Sequence, residues 1–201
     1  MLHVPSVYRM RGDMLVRNTT PDALPYLKHL SKQESFALGW IPLQIYERVW
    51  SGTFTGWIIL CEVNMSPVGF CFAAPASHPS KAGRIYQLAV QSDARRFDYG
   101  TFLADVAEEL CRSVFTKAIS CRCATELPSN TFWQMLGYRK VNTVGIGASV
   151  GDSPRQVRRP LNLYLKELEG FGSILPSTER AVVETQRRLS QVVMPMTERA
   201  T

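Results

Sequence analysis

Residues 84–115 constrain the fold more than any other stretch. Arg84 to Gln91 is an apolar run of strand length, and its composition suits a central strand buried on both faces. Asp98 to Phe115 reads as a long helix, with Phe102, Leu103, Val106, Leu110 and Val114 on one side. A strand feeding such a helix must lie under it in a sheet and reach its next partner by a crossover. Upstream, Gly56 to Val63 and Val68 to Ala73 read as strands joined by the turn chemistry of Asn64-Met65-Ser66-Pro67, an antiparallel hairpin. A hairpin beside a crossover implies an α/β fold, specifically a mixed sheet of α+β character with helices on both faces.

The other elements fit around this unit. Residues 1–13 carry Arg9, Arg11 and a Gly12-Asp13 turn signal and read as an arm; Met14 to Arg17 is a short strand. Thr20 is placed as an N-cap and Pro21 at the first helical position of a helix to Gln33, striped by Leu24, Leu27 and Leu30. Gly39 breaks the chain, and Pro42 opens a second short helix through Val49. Pro75 to Lys81 is a loop. Ala118 to Ala124 is a strand, Pro128 to Leu136 a short helix ended by Gly137, and Tyr138 to Thr143 a strand. Gly145 to Arg159 is a glycine-rich, then basic, loop, and Leu161 to Leu165 alternates as a final strand. Beyond Glu169 the composition changes: Gly170, Gly172 and Pro176 mark a linker, and Ser177 to Val193 reads as a charged helical tail with a narrow Val182, Leu189, Val193 stripe. The organisation expected is an arm at 1–13, a domain at 14–168, and a linker with a C-terminal helix at 169–201.

Composition narrows the function classes. Of 201 residues, 45% are hydrophobic and 20% charged, which suits a globular domain and excludes a disordered chain. No apolar run reaches bilayer length, and the start of the chain lacks signal-peptide blocks, so a cytoplasmic protein without membrane partners is expected. The net charge of +6 favours an anionic partner, coenzyme A and nucleic acid among them. Cys121 and Cys123, two apart on a strand, point to one face. Without a second Cys/His pair at ligand spacing they read as buried thiols, and no metal is expected.

The strand-to-helix turn holds the chemistry. Leu88-Ala89-Val90 leads through Arg95, Arg96, Phe97, Asp98, Tyr99, Gly100 and Thr101 into the long helix. Such a turn presents backbone N–H groups and the positive end of a helix to an anion, with Arg95 and Arg96 beside it; a pyrophosphate is the natural ligand. This stretch resembles the acyl-CoA signature of the GNAT acetyltransferases, in which Val is followed five residues later by Arg or Gln, then two residues, Gly, one residue, and Gly or Ala. Val90, Arg95 and Gly100 keep that spacing. Asp98 replaces the first glycine; an N-cap role would accommodate it, whereas a carboxylate turned to the ligand would repel phosphate. Phe132-Trp133-Gln134-Met135-Leu136-Gly137-Tyr138 resembles the family's late helix, and Trp133 stands where many members carry a Tyr that protonates the departing thiolate. Glu126 stands where members tend to carry an Asn, with Asn130 closer to the helix. The resemblance covers residues 14–168 and looks closest to GNAT-like proteins of phage and prophage origin.

The resemblance implies a splayed central sheet, acetyl-CoA as acyl donor, and N-acetyl transfer to an unidentified amine. Leu88, Ala89, Val90, Arg95 to Thr101, Asn130 and Trp133 are then the cofactor-binding residues, with Leu88 and Val90 offering backbone groups to pantetheine. A base acting through water removes the amine proton; Glu126 and Glu62 are candidates, Gln87 holds the water, and Tyr138 is a candidate acid. Trp133 and Tyr138 equally suit core positions. Two other readings stay open: an enzyme of the same fold acting on nucleic acid, to which Arg155, Arg158 and Arg159 would contribute, and a degenerate domain that binds acyl-CoA or a partner without catalysis. The C-terminal helix suits packing on its own subunit or in a homodimer.

Overall fold

The computed structural model describes residues 7–39, 41–78, 81–144 and 160–168. Eight strands form one sheet in the order β1-β2-β3-β4-β5-β6-β8-β7. The first four are β1 (Val7–Arg11), β2 (Met14–Asn18), β3 (Trp57–Val63) and β4 (Ser66–Ala74); the others are β5 (Gly83–Val90), β6 (Ala118–Ala124), β7 (Arg139–Val144) and β8 (Leu161–Glu167). All neighbours run antiparallel except β5 and β6, the pair joined by the crossover helix. The described part of the expected arm is thus an edge strand, turned back onto β2 at Gly12, whose φ of 62° glycine adopts without steric cost.

The helices are α1 (Leu24–Gln33), α2 (Ser35–Leu38), α3 (Leu43–Trp50), α4 (Tyr99–Ser113) and α5 (Ser129–Met135). A 3-10 turn over Pro21–Ala23 precedes α1. Thr20 does not cap it through its side chain; its hydroxyl donates instead to the Asp22 carboxylate. Gly137 ends α5 at φ 82°, as its position required. The loop expected at 145–159, its arginines, and the tail from residue 169 lie outside the described residues.

Two apolar layers hold the helices on. One face of β3 and β4 contributes Ile58, Leu60, Phe70 and Phe72, which meet Leu27 and Leu30 of α1 and Tyr46 of α3. The other face contributes Ile59, Cys61, Cys71, Ile85, Ile119, Cys121 and Cys123, which pack under Phe102, Leu103, Val106, Leu110 and Cys111 of α4 and Trp133 of α5. Burying each large side chain of this kind stabilises the fold by about 1.5–3 kcal/mol. Cys121 and Cys123 share a face, as expected from their spacing, and all five cysteines are buried free thiols.

Beyond β5 the cover changes. Tyr164 and Asn162 of β8 are buried on the α4 face, but Leu161, Leu163 and Leu165 on the opposite face are only half-buried, and Arg122 of β6 is exposed. Helices α1 to α3 pack on β3, β4 and β5 and end there.

Candidate active site

The site begins where β5 and β6 part. They pair only through Gly83↔Ile119, Arg84↔Ser120 and Ile85↔Cys121. From Gln87 to Val90, β5 stays hydrogen-bonded to β4 alone, while β6 is carried away on β8. Gln91 N–H donates to Val68 O at 2.9 Å. Bonds to an antiparallel neighbour come from alternate residues, so Ala89 and Gln87 turn their backbone groups to β4, and Leu88 and Val90 turn theirs into the gap. Apart from Val90 O, which accepts from Arg95, these backbone groups need a partner. The Ala89 side chain belongs to the α1–α3 core, so this residue lines the opposite side of the strand.

A register shift in β5 shapes the bottom of the gap. Phe72 pairs with Gln87 but Ala73 pairs with Ile85, leaving Tyr86 as an extra residue. The bulge puts Tyr86 and Gln87 on the same face. Tyr86 stacks on Phe72 with ring centroids 4.9 Å apart and is 37% exposed. Gln87 is buried: its Oε1 accepts from Tyr46 Oη at 2.6 Å, and its Nε2 donates to Gly39 O at 3.2 Å. Gln87 therefore fixes α3 and the end of α2 against β5, a positioning role that sequence alone does not reveal.

The turn into α4 crosses the top of the gap. Phe102 N–H bonds Asp98 O, the first bond of the helix, so helical geometry leaves the N–H groups of Tyr99, Gly100 and Thr101 without intrahelical acceptors. Asp98 does not cap them: it adopts φ 62°, ψ 7°, with no side-chain cap bond. A left-handed residue is what the turn requires, and Asp is among the few non-glycine residues that tolerate it. Arg96 is also left-handed, at φ 70°. A Cβ on Gly100 would stand 3.4 Å from the Phe132 ring and 3.7 Å from Leu88, so the helix start rests on both β5 and α5. Phe97 is exposed and stacks on Tyr99 at 5.9 Å.

Several expected ligands are occupied within the protein. Arg95 donates from Nε to Val90 O at 3.1 Å and from Nη2 to the Glu34 carboxylate, tying the turn to the end of α1. Asn130 donates to the carbonyls of Ala124 and Leu127 at 2.8 and 2.6 Å, and its Oδ1 accepts from Asn162 and Tyr164 at 2.9 Å each. It is a hub that locks the end of β6 to α5 and β8. Trp133 is a core residue, 7% exposed, edge-on to Phe132 and Tyr138.

The proposed acid–base groups are dispersed. Tyr138 is 2% exposed under α4; burial, then the nearby Glu108 carboxylate, push its phenol far above its ordinary value. Glu108 is itself buried between Arg112 at 3.1 Å and Lys166 at 2.9 Å. Glu62 is locked bidentate to Arg17, both contacts at 2.8 Å, on a strand separated from the gap by β4. Glu126 is exposed just beyond the β6 end of the gap, 3.4 Å from Thr125 Oγ1. Sequence reading missed Arg84, Tyr86, Glu34 and Tyr46, because a bulge and long-range side-chain pairs leave no local signature.

Comparison with known proteins places this geometry. The sequence profile described as the acetyltransferase (GNAT) family matches residues 24–138, more than half of the chain. The chain belongs to that family. Three solved structures share the GNAT fold over most of its length. Ard1 from Thermoplasma volcanium aligns at TM-score 0.62 and 16% identity, over 79% of this chain and 100% of its own. The ribosomal-protein-S18-alanine N-acetyltransferase of Escherichia coli aligns at 0.60 and 12%, over 81% and 99%. NAA60 of Arabidopsis thaliana, solved with a bisubstrate analogue, aligns at 0.63 and 11%, over 78% and 99%. No curated protein matches the sequence. The splayed GNAT sheet expected from the sequence is the sheet observed, and no described helix is long and apolar enough to cross a membrane.

Proposed function

We propose that this GNAT domain transfers an acetyl group from acetyl-CoA to an amine. The observation that carries the reading is the gap itself: β5 leaves β6 beyond Ile85, and the unpartnered N–H groups of α4 stand at its top. These groups fit an acyl-CoA. Leu88 and Val90 would hold pantetheine by backbone bonds, and the N–H groups of Tyr99, Gly100 and Thr101, with Arg96 beside them, would hold the pyrophosphate. When bound, the donor supplies an activated acyl carbon and a thiolate leaving group. A β5 backbone N–H polarises the carbonyl oxygen. Glu126, at the β6 end of the gap, takes the proton of the attacking amine through water. Gln87 keeps α3 and the end of α2 in place through one bond at each end of its amide. Tyr138, sealed in the core, has no access to the gap, and the exposed phenol near its apex is Tyr86.

The test is calorimetric titration with acetyl-CoA, repeated on Gly100→Asp. That side chain would put a carboxylate among the N–H groups and against Phe132. Binding by the unmodified chain, weakened at least tenfold in the variant with its melting temperature held, is the expected result. Equal binding by both would move the phosphate site elsewhere, and no binding by either would end the reading. One observation favours a second reading, a domain that binds acyl-CoA without transferring it: Glu62 and Tyr138, two of the expected acid–base groups, are engaged or sealed inside the protein. Binding without release of free thiol in the presence of amines would select it.

A further inference from the structure

Two arginines stand at the apex of the gap. Arg84 lies on the last paired stretch of β5, opposite Ser120, and Arg122 is the first residue of β6 beyond the final pair, Ile85↔Cys121. Alternation decides their direction. Ile85, Ile119, Cys121 and Cys123 all face α4, so Arg84 and Arg122 face the other side, where Tyr86 also lies. Arg84 pairs with Ser120, so Arg122 is its diagonal neighbour across the strand junction, near enough for the two charges to act on each other. Arg84 is half-buried and lies over the Tyr86 ring, 4.7 Å from its centroid.

Among the described residues neither arginine makes an ion pair, whereas Arg9, Arg17, Arg95, Arg112 and Lys166 all do. Burial, then the Arg122 charge, depress the Arg84 pKa, so the pair is held against its own electrostatic preference. The face beside them carries Leu163 and Leu165 and none of the described helices. This is the side from which an acceptor can reach the apex, because the α4 face is closed by core.

We infer that Arg84 and Arg122 select an acceptor amine that carries an oxyanion group, carboxylate or phosphate, and that Tyr86 seats it. This rests on the transferase reading above, since the apex matters only if an acyl group ends there. A guanidinium fork matches either oxyanion by paired hydrogen bonds, and two forks on one face make a site that a neutral amine cannot use. Tyr86 contributes by holding the Arg84 guanidinium over its ring.

The experiment has two arms. In the first, the full chain saturated with acetyl-CoA is titrated calorimetrically with malonate and with inorganic phosphate, which separates the carboxylate from the phosphate source. At least one binds, and the Arg84→Gln/Arg122→Gln variant weakens it at least tenfold while acetyl-CoA affinity and melting temperature stay within twofold and a few degrees. In the second, thiol release is followed with matched amines: γ-aminobutyrate against its amide, and phosphoethanolamine against ethanolamine. The anionic member is preferred at least tenfold, Arg122→Glu abolishes or reverses that preference, and Tyr86→Phe keeps it. Anion binding unchanged in the double variant, or a preference that Arg122→Glu leaves in place, would overturn the assignment and leave the transferase reading standing. Failure of the chain to bind acetyl-CoA would remove the transferase reading and this assignment together.

Discussion

The two halves of the sheet are built differently. From β3 to β5 the sheet is covered twice, by α1 to α3 on one face and α4 on the other, and its strands carry Ile58, Ile59, Phe70, Cys71 and Phe72 at or below 1% exposure. From β6 to β7 the described residues cover only the α4–α5 face; Tyr164 is fully buried there, while Leu163 on the other face is half-buried. The doubly covered half carries fixed backbone, held by side-chain ties such as Gln87 with Tyr46 and Arg95 with Glu34. The other half carries Arg122, exposed and without an ion pair among the described residues. The gap runs between them, so a rigid wall faces an open one. In the proposed reading the donor lies against the first and the acceptor against the second.

The sharpest way to break this comparison is to remove one side chain from each half. Phe70→Ala should cost about 3–5 kcal/mol, because it opens a cavity between β4 and α1 that neither layer can fill. Leu163→Ala should cost about 1 kcal/mol, because much of that side chain already meets water. Urea unfolding of both variants checks the difference, and equal losses would show that the second face of β8 is covered after all.

A smaller effect comes with alkali. Burial pushes the Cys61 thiol up to about 12 from 9.0, and Cys71, Cys111 and Cys121 move in the same direction for the same cause. Tyr26 and Tyr138 are raised likewise. Four of them lie on or beside the sheet, Tyr26 is on α1 and Cys111 is on α4. A group whose folded pKa is raised favours the folded state fully below its unfolded pKa and loses that contribution as pH climbs toward the folded value. Stability should therefore hold below about pH 9 and fall steadily from about pH 9 to 12. Urea midpoints measured across that range test it, and Cys61→Ala should flatten the early part of the fall; a midpoint that drops between pH 7 and 8.5 would assign the loss to other groups.

Much of this was legible in the sequence because it was local. The hairpin at Asn64, the crossover into α4, Gly137 and the shared face of Cys121 and Cys123 all follow from spacing of a few residues. What was not legible is long-range or conformational. Arg95 reads as a phosphate ligand until Glu34, 61 residues earlier, is found beside it. Asn130 reads as a ligand until Asn162 and Tyr164 are seen on its Oδ1. The bulge that puts Tyr86 on the same face as Gln87 leaves no signature in the local sequence. Tyr138 keeps the family spacing of a strand aromatic, and that spacing, not its hydroxyl, decides where it lies.

Asp98 joins the two kinds of failure, since its type suggested a cap and its backbone forbids one. The left-handed conformation costs a non-glycine residue about 1–2 kcal/mol, while glycine returns about 0.4–1 kcal/mol of that through greater freedom of the unfolded chain. Asp98→Gly should thus gain only about 0.5 kcal/mol in stability. Its effect on the site should be larger, because it removes a carboxylate from the start of α4, where an anion is to bind; a fivefold gain in acetyl-CoA affinity, roughly 1 kcal/mol, is expected. Asp98→Asn separates the causes. Asn tolerates the left-handed region as Asp does and carries no charge, so it should gain affinity without gaining stability. If the Asp98→Asn variant behaves as the unmodified chain in calorimetry, the carboxylate does not face the bound anion, and the rigid wall of the gap accepts the acid there at no cost to binding.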